Sequence, residues 1–531
     1  MGGELKRRQF LQSAAAAAAA SIGLSNLKAA AERDSSNRPS RSEYIEALVI
    51  GSGFGGGVAS LRLGEAGIET IVLERGRRWP ITEAGNTFSP YDKLDGRAAF
   101  LSPTTLIFNP GIPIDIFTGV LSVKVGVGNS IVAVHGAGVG GTSLVYGGIT
   151  YQPTEEWFRR VFPPSIKYSE LDSVYFPRVR SMLQASPIPD DILASPYYLS
   201  TRILQAQAAQ AGLKTRKIDI AFDWDIVRQE IAGEKAPSII AGQYYYGAES
   251  GATNSVDRNY LKKAEETGYV EIRPLHVVTS IRELKNGFYQ VFCNQINEQG
   301  DVLAQKTFVC RYLFLAAGSI GTTELLVRAK AEGSLRRLNR QVGRFWGTNG
   351  DSVATLISDG PTNPNQGSPG VISIEHLDNP IAPVILESFP SAFPLLPQGA
   401  ANVLGQGIPK PEGYFTYNTS TKSTDLFWPA NSRHNQKLAE ATQYTYELIN
   451  QANGTSLVGP PDFVSTAHPL GGAVIGQVCN TYGQVYGYRN LFVVDGSLIP
   501  GSTAASNPSL TIAALAERSM DHFLNHISDS E

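Results

Sequence analysis

The clearest pattern of apolar and polar positions lies around residue 50. Residues 47–50 form a continuous apolar run, which is typical of a buried parallel strand. A glycine-rich turn follows, and residues 58–66 then form a helical stretch that ends at Gly67. Residues 69–74 have the pattern of a second strand. The pattern therefore predicts one βαβ unit.

The rest of the chain contains further periodic segments separated by long loops. Residues 83–252 are mixed, with loops rich in Gly and Pro and a helical patch at 200–211. We expect strands at residues 269–281, 288–315, 371–389, 413–428 and 490–495, and helices at 435–452 and 507–526. The strands that would extend the βαβ unit are scattered along the chain. This scatter favours two interleaved domains over two successive ones.

Composition describes a globular chain and argues against some kinds of partner. Of the 531 residues, 42% are apolar and 18% are charged, which suits a large core in about two or three domains. The net charge of −3 gives no electrostatic reason to expect a nucleic acid as partner. Cys293, Cys310 and Cys479 have no metal-ligand spacing, so we predict no metal site. Cys293 and Cys310 lie on neighbouring predicted strands, where a disulfide formed after export would require a matched register.

The first residues have the pattern of an export signal. Residues 6–12, KRRQFLQ, contain a twin arginine, followed by an alanine-rich stretch at 14–20 and small residues at 29–31. The alternative is an alanine-rich surface helix. We expect residues 1–34 to be a signal peptide that directs the folded protein through the twin-arginine route, to the periplasm or the medium.

The turn after the first strand has the spacing of a dinucleotide cradle. In residues 51–56, GSGFGG, Gly51 permits the tight turn, Gly53 lets the backbone approach a pyrophosphate, and Gly56 lets helix and strand pack closely. The following helix directs its free N–H groups at the phosphates. Glu74 ends the second strand, where a carboxylate accepts a bond from a ribose hydroxyl and disfavours the 2′-phosphate of NADP. This motif alone leaves FAD and NAD open.

Five further segments resemble those of one enzyme family. They are GAGVGGTSLVYGG at 136–148, YLFLAAGSIGTTELL at 312–326, HPLGG at 468–472, VDGSLIPGS at 494–502 and NPSLTIAALAER at 507–518. Together they resemble the glucose-methanol-choline (GMC) oxidoreductases, from about residue 43 to the end of the chain. Within this family the chain most resembles bacterial cholesterol oxidases, which bind FAD without a covalent bond.

The resemblance implies an α/β fold (α+β overall). A Rossmann-like FAD-binding domain (43–82, 253–342 and 483–531) would be interleaved with a substrate domain (83–252 and 343–482) built on a large, mostly antiparallel sheet with helices. The cofactor contacts that it implies are Gly51, Gly53 and Gly56 at the pyrophosphate, Glu74 at the adenosine ribose, Val278 at the adenine, Gly140, Gly141 and Ser143 at the flavin end, Asp495 and Gly496 beside the ribityl chain, and Phe54, Gly147, Gly318, Asn507 and Ser509 as further contacts.

His468 and Asn507 are two candidate catalytic residues. His468 stands in a turn rich in Pro and Gly, and an imidazole there can accept an alcohol proton while hydride leaves for the flavin; the alternative is a structural turn histidine. Asn507 precedes Pro508 and would also be a good helix N-cap. The resemblance places this helix start against the flavin, where its positive end stabilises the reduced ring and the amide orients the substrate hydroxyl.

Glu387 is the third candidate and lies in the apolar segment VILESF, residues 384–389. From the residues alone, its carboxylate either faces solvent or is buried with a raised pKa. By resemblance to cholesterol oxidases, Glu387 would be the base that moves a proton as a 5-ene-3-one isomerises to the 4-ene-3-one.

Some positions depart from the family pattern. Tyr146 stands where the second glycine segment usually has asparagine, and Ile149, Tyr151 and Ile385 differ near the flavin and the route proposed for oxygen. The leading hypothesis is FAD-dependent oxidation of a secondary alcohol, a 3β-hydroxysteroid such as cholesterol, with oxygen as acceptor. The alternatives are a GMC dehydrogenase of another bulky apolar alcohol that uses a quinone or cytochrome, a flavin-binding protein without turnover, and an NAD-dependent dehydrogenase. We expect a monomer that contacts a membrane peripherally to extract its substrate.

Overall fold

The computed structural model describes residues 42–107, 111–390, 399–459 and 461–527. The predicted signal peptide, residues 1–34, lies outside these ranges. Among the described residues, no helix is long and apolar enough to cross a membrane.

The strands are β1 (Glu43–Ile50), β2 (Thr70–Leu73), β3 (Leu121–Val125), β4 (Val132–Gly136), β5 (Ser186–Pro187), β6 (Lys214–Lys217), β7 (Asp219–Ile220), β8 (Val270–Arg273), β9 (His276–Glu283), β10 (Tyr289–Ile296), β11 (Val302–Leu315), β12 (Ser352–Ile357), β13 (Ile372–His376), β14 (Val384–Ser388), β15 (Ala400–Gly407), β16 (Tyr414–Asn418), β17 (Ser423–Phe427), β18 (Ser456–Leu457), β19 (Ser465–Thr466) and β20 (Leu491–Val493). The α-helices are α1 (Phe54–Glu65), α2 (Glu155–Val161), α3 (Tyr168–Glu170), α4 (Phe176–Leu183), α5 (Asp190–Ala194), α6 (Leu199–Gln210), α7 (Trp224–Ala232), α8 (Tyr260–Glu266), α9 (Gly318–Ala331), α10 (Arg433–Asn453) and α11 (Pro508–Ile527).

The first large sheet contains the predicted βαβ unit. Its strand order is β8-β2-β1-β11-β10-β9, and β20 also pairs with β11. The strands β8, β2, β1, β11 and β20 are parallel, whereas β10 and β9 continue the sheet in antiparallel fashion. All four residues from Ala47 to Ile50 are buried, because both faces of the parallel part are covered. The sheet therefore collects strands from three distant parts of the chain.

The second large sheet is antiparallel and has the order β18-β12-β15-β14-β13-β6. One face packs on α6 and α10, through a core cluster that includes Val384 and Leu386 of β14. Ile385 belongs to a different cluster on the opposite face. The two sheets together confirm the expected α/β class with a mostly antiparallel second sheet. The exact domain boundaries given above stay a prediction.

The cysteines do not form the disulfide that neighbouring strands would allow. Across β10 and β11, Cys293 lies opposite Lys306 and Cys310 lies opposite Tyr289. All three cysteines are buried and free. Cys293 and Cys310 are therefore out of register with each other, which is the condition that pairing would have required.

Candidate active site

The turn between β1 and α1 forms the first wall of a groove. Gly51 has φ +97°, and a Cβ at this position would lie 2.4 Å from the carbonyl oxygen of Ala316. A Cβ on Gly56 would lie 2.1 Å from the oxygen of Gly51, so close packing requires glycine at both positions. A Cβ on Gly53 would meet no atom within 4 Å. Gly53 therefore borders open space at the N-terminus of α1, where Phe54 is the first helical residue.

Glu74 lies next to this turn with only 5% of its surface exposed. Its Oε2 accepts hydrogen bonds from Ser52 N–H (3.2 Å) and Ser52 Oγ (2.7 Å), and its Oε1 accepts one from Gly76 N–H (2.9 Å). A carboxylate has roughly four acceptor positions, so Glu74 keeps room for one further donor such as a ribose hydroxyl. Ser52, which sequence reasoning had not singled out, also accepts a bond from Gly140 N–H (3.2 Å).

The second glycine segment contacts the first. A Cβ on Gly141, which has φ +59°, would lie 2.7 Å from the Cα of Gly53. Gly140 has φ +112° and its carbonyl accepts a hydrogen bond from Ser143 Oγ at 2.7 Å. Ser143 Oγ in turn accepts one from Val256 N–H at 2.8 Å. The two glycine segments thus form one continuous backbone surface, as the predicted cofactor site requires.

Asp495, in the segment 494–502, connects this segment to the segment 312–326. Its Oδ2 accepts hydrogen bonds from Gly318 N–H (2.9 Å) and Thr322 Oγ1 (2.5 Å), and burial raises its pKa. A Cβ on Gly318, at φ +77°, would meet no atom within 4 Å, so Gly318 also borders open space. The carbonyl of Gly496 accepts a bond from Gly471 N–H at 3.0 Å, which joins this segment to the turn that carries His468.

Val278 lies in β9, whose first residue, His276, donates a backbone hydrogen bond to the carbonyl of Glu74 at 2.8 Å. This strand is at the edge of the first sheet, and Val278 pairs with Cys293 on its inner side. The outer edge of β9 can therefore offer backbone groups to a flat ring such as adenine. Taken together, open space beside two glycines, a helix N-terminus and a buried carboxylate fit an extended dinucleotide.

One departure from the family pattern, Tyr146, packs beside the start of α1, near the predicted flavin end of the cofactor site. The hydroxyl of Tyr146 donates to the carbonyl of Asn254 at 2.9 Å. The Tyr146 ring also packs edge-on against Phe54 at 5.4 Å between centroids. A bulky aromatic therefore stands where a small amide was expected, close to the start of α1.

Ile149 marks the border between the cofactor groove and the second sheet. Its carbonyl accepts a hydrogen bond from Ser509 Oγ at 2.6 Å. A Cβ on Gly370 would lie 2.2 Å from the Ile149 side chain and 3.2 Å from Oε2 of Glu387. A Cβ on Gly147 would lie 3.5 Å from Ile149. The branched side chain of Ile149 thus lies near the Glu387 carboxylate.

Glu387 is fully buried, with an exposed fraction of 0%. Side chains alternate along a strand, so Glu387 shares the face of β14 that Ile385 occupies, opposite to the face covered by α6 and α10. Its Oε2 accepts a hydrogen bond from Asn507 Nδ2 at 3.2 Å, and its Oε1 has no partner among the described residues. Burial raises the pKa of Glu387 to about 7, although the bond from Asn507 and the charge of His468 oppose this rise.

His468 is paired with Asp351, a residue that the sequence had not indicated. Its Nδ1 lies 2.8 Å from Asp351 Oδ1, and 16% of the His468 side chain is exposed. Burial acts to lower the pKa of His468, but the charge of Asp351 and the bond to it raise the pKa above its ordinary value. Asp351 follows Gly350 in a turn without a recognisable motif, and 117 positions separate it from His468.

Asn507 does not use its side chain as a helix cap. The helix α11 begins at Pro508, as a cap would predict, but Asn507 Oδ1 has no hydrogen-bond donor within the described part of the chain. Its amide group instead donates to Glu387. The structure therefore brings Asn507, Glu387 and His468 into one site. Asn507 contacts Glu387 directly, and Glu387 and His468 each shift the pKa of the other.

Known proteins resemble this chain in both sequence and fold. Residues 410–516 match a family model described as GMC oxidoreductase. A cholesterol oxidase from Mycobacterium tuberculosis (strain CDC 1551 / Oshkosh) is 27% identical over 549 residues, which cover 89% of this chain and 90% of that protein. A cholesterol oxidase from Acinetobacter baumannii is 23% identical, and the similarity covers 90% and 93% of the two chains. The chain is therefore similar to GMC oxidoreductases, through the family model over residues 410–516 and through cholesterol oxidases over most of its length.

A solved GMC oxidoreductase has the same fold. Pyridoxine 4-oxidase from Mesorbium loti superposes with a TM-score of 0.62 and covers 91% of this chain and 99% of its own, at 14% identity. The family generally binds FAD, and its members are oxidoreductases that act on CH–OH groups. This similarity supports an oxidoreductase that acts on CH–OH groups, with a small-molecule alcohol and an electron acceptor as its partners.

Proposed function

We propose that this protein is a GMC oxidoreductase that oxidises the 3β-hydroxyl group of a steroid such as cholesterol, with FAD bound without a covalent link. The observation that carries the proposal is Glu387, a fully buried carboxyl with a pKa of about 7 that lies beside Asn507 in the same site as His468. Simple alcohol oxidation needs one proton acceptor, which His468 provides. A second group whose pKa lies near neutral pH suits a second proton transfer. The similarity to cholesterol oxidases supports the same substrate class.

The chemistry of the chain's own residues can be written for each step. The two glycine segments and Glu74 would hold FAD, which would supply the hydride acceptor for the alcohol carbon and the two electrons that, with two protons, convert oxygen to hydrogen peroxide. His468 Nε2 accepts the hydroxyl proton as the C3–H bond breaks and the ketone forms. Asn507 lies on one side of the site and donates a hydrogen bond to the Glu387 carboxylate. Glu387 then removes a proton from C4 of the 5-ene-3-one and returns one to C6, which yields the conjugated 4-ene-3-one.

An anaerobic titration of the purified yellow protein with cholesterol tests this proposal. We expect the oxidised flavin band to bleach while the enone absorbance of the product grows. Glu387→Gln should still bleach the flavin but accumulate the unconjugated 5-ene-3-one. Flavin that stays oxidised would contradict the steroid substrate, and enone formation at the wild-type rate in Glu387→Gln would contradict the role of Glu387. Acid precipitation should release FAD into the supernatant if the cofactor is not covalently bound.

A dehydrogenase for a bulky apolar alcohol is the second candidate, because branched side chains surround the reaction site. Ile149 and Ile385 are 6% and 0% exposed and belong to the core cluster on the face of β14 that carries Glu387. Both differ from the residues expected along an oxygen route. Steady-state turnover with oxygen, compared with turnover with an artificial quinone-like dye, separates the two functions. Turnover with the dye alone would favour the dehydrogenase.

We also propose that the protein is exported by the twin-arginine route as a folded monomer that touches membranes only peripherally. The support is the KRRQFLQ segment and the alanine-rich stretch after it. In a bacterial host with this export system, the wild-type chain should reach the periplasm. The double substitution Arg7→Lys and Arg8→Lys should keep the chain in the cytoplasm. Equal export of both versions would contradict the proposed route.

A further inference from the structure

One turn, residues 348–351 (TNGD), holds the segments that carry two of the proposed catalytic residues. The neighbouring Gly347 exchanges backbone hydrogen bonds with Leu470, at 2.9 and 3.1 Å, in the turn that carries His468. The hydroxyl oxygen of Thr466 lies 3.0 Å from the carbonyl oxygen of Thr348. Asn349 and Asp351 then extend from the turn in different directions, and each reaches a different segment.

Asn349 holds the loop that leads into Asn507. Its Nδ2 donates to the carbonyl of Ser506 at 2.9 Å, and its Oδ1 accepts hydrogen bonds from Ser502 Oγ (3.2 Å) and from Thr503 N–H (3.0 Å). The loop needs this support because two consecutive alanines, at residues 504 and 505, have φ of +66° and +55°. Residues with a Cβ rarely adopt such angles without surrounding constraints.

Asp351 holds His468 by an arrangement that leaves one imidazole nitrogen free. Its Oδ2 accepts hydrogen bonds from Thr466 Oγ1 (2.8 Å) and Ala467 N–H (3.0 Å), so both donors come from the two residues before His468. Its Oδ1 faces His468 Nδ1 at 2.8 Å. A carboxylate only accepts hydrogen bonds, so Nδ1 must carry the proton. The other nitrogen, Nε2, is then an acceptor in the neutral imidazole.

We infer that Asp351 is a positioning residue that fixes the tautomer of His468 and supplies the negative charge that stabilises this side chain when it takes up the alcohol proton. This inference rests on the proposed role of His468. The proposed effect of Asp351 on the reaction passes through its contact with His468. The other titratable groups that bear on the pair are Glu387, which is coupled to His468, and Tyr244, which is coupled to Glu387.

The test compares holoenzyme that carries Glu387→Gln alone with holoenzyme that carries Glu387→Gln and Asp351→Asn, because Glu387→Gln removes the other group with a pKa near 7. Asparagine preserves size but loses the charge, and its amide can donate to Nδ1 and so stabilise the wrong tautomer. We expect the rate of flavin reduction at pH 8 to fall by about tenfold or more. The low-pH limb of the profile of this rate against pH should move to lower pH by about 1 unit or more. A nearby carboxylate raises the pKa of a histidine by about this amount, and Asp351→Asn removes the carboxylate.

A spectroscopic measurement makes the inference independent of turnover. In holoenzyme labelled at histidine Cε1, the His468 signal is identified by its loss in His468→Gln. Its titration midpoint should lie above 6.5 with Asp351 and should fall in Asp351→Asn. Asp351→Glu, which restores the charge on a longer side chain, should return the midpoint toward the unmodified value. Asp359→Asn, the same change at an exposed position near the end of β12, should leave the midpoint unchanged.

The outcomes separate the inference from the proposed function. A His468 midpoint that is the same with Asp351 and with asparagine at this position overturns the inference, even if the enzyme turns over. If the midpoint shifts as expected while no alcohol reduces the flavin, the role of Asp351 toward His468 stands and the proposed function fails. A slower rate in Asp351→Asn with an unmoved low-pH limb would indicate a structural effect only and would also overturn the inference.

Discussion

Replacing Glu387 with glutamine should stabilise the folded protein in a pH-dependent manner. The carboxyl has 0% exposure and burial raises its pKa to about 7, against an unfolded value of 4.5. Below pH 4.5 the carboxyl is neutral in the folded and in the unfolded state, so its ionisation contributes nothing to the free energy of unfolding. Between pH 4.5 and about pH 7 the unfolded chain ionises first, so folded stability is lost as the pH rises through this window. Above pH 7 the loss is constant.

The magnitude follows from the two pKa values. Each pH unit of difference corresponds to about 1.36 kcal/mol, so a difference of about 2.5 units gives about 3 kcal/mol at pH 8 and about 1 kcal/mol at pH 5. The unfolding entropy of a chain of this length is roughly 1 kcal/mol/K, at roughly 2.1 cal/mol/K per residue. Glu387→Gln should therefore raise the Tm relative to the wild type by about 2 °C more at pH 8 than at pH 5.

The assay is differential scanning calorimetry of both proteins in excess FAD, at intervals from pH 5 to pH 8. Glutamine has its own burial cost, but this cost does not change with pH, so the pH dependence of the difference is the quantity to read. Glu440→Gln, the same change at an exposed position of α10, should give a difference that is flat with pH. A flat difference for Glu387→Gln as well would refute the assignment of a buried, neutral carboxyl.

Three other outcomes are expected. His468→Ala should slow flavin reduction by the alcohol by about tenfold or more in stopped-flow measurements, and a near-normal rate would show that the role is misassigned. Gly53→Ala should leave the Tm of the apoprotein unchanged, because its Cβ meets no atom within 4 Å, but weaken FAD binding about tenfold or more in a fluorescence titration; undiminished affinity would place the cofactor elsewhere. The protein denatured without reductant should titrate as three thiols, at Cys293, Cys310 and Cys479, and a count of one would indicate a disulfide.

The elements that local patterns predicted are those whose cause is local. The apolar run at 47–50, the helix after the glycines and the strand that ends before Glu74 all appear close to where they were expected. The strand β1 begins earlier, at Glu43, because its exposed first residues pair with β11. The terminal helix α11 begins directly after Asn507, where proline is compatible with the first turn.

The elements that were missed are held by neighbours in the sheet. The strand Ala400–Gly407 has the sequence AANVLGQG, whose alanines and glycines disfavour strands, yet it lies between β12 and β14. The strand Lys214–Lys217 is polar and pairs only at the edge, with β13. Packing against partners from other parts of the chain outweighs the intrinsic preference in both cases.

The candidate site divides in a similar way. Glycine spacing, the proline after Asn507 and the motif segments marked the predicted cofactor site, His468 and Asn507, because each motif is a short stretch of backbone with its own geometric demand, whereas Glu387 came from the resemblance alone. The sequence left open whether Glu387 is buried, and only the central position of β14, covered on both faces, decided this. The register of β10 and β11 likewise decided against a disulfide. Asp351 reached His468 across 117 positions through the fold alone, because side-chain contacts between distant segments depend on how sheets and turns pack and leave no periodic signal along the chain.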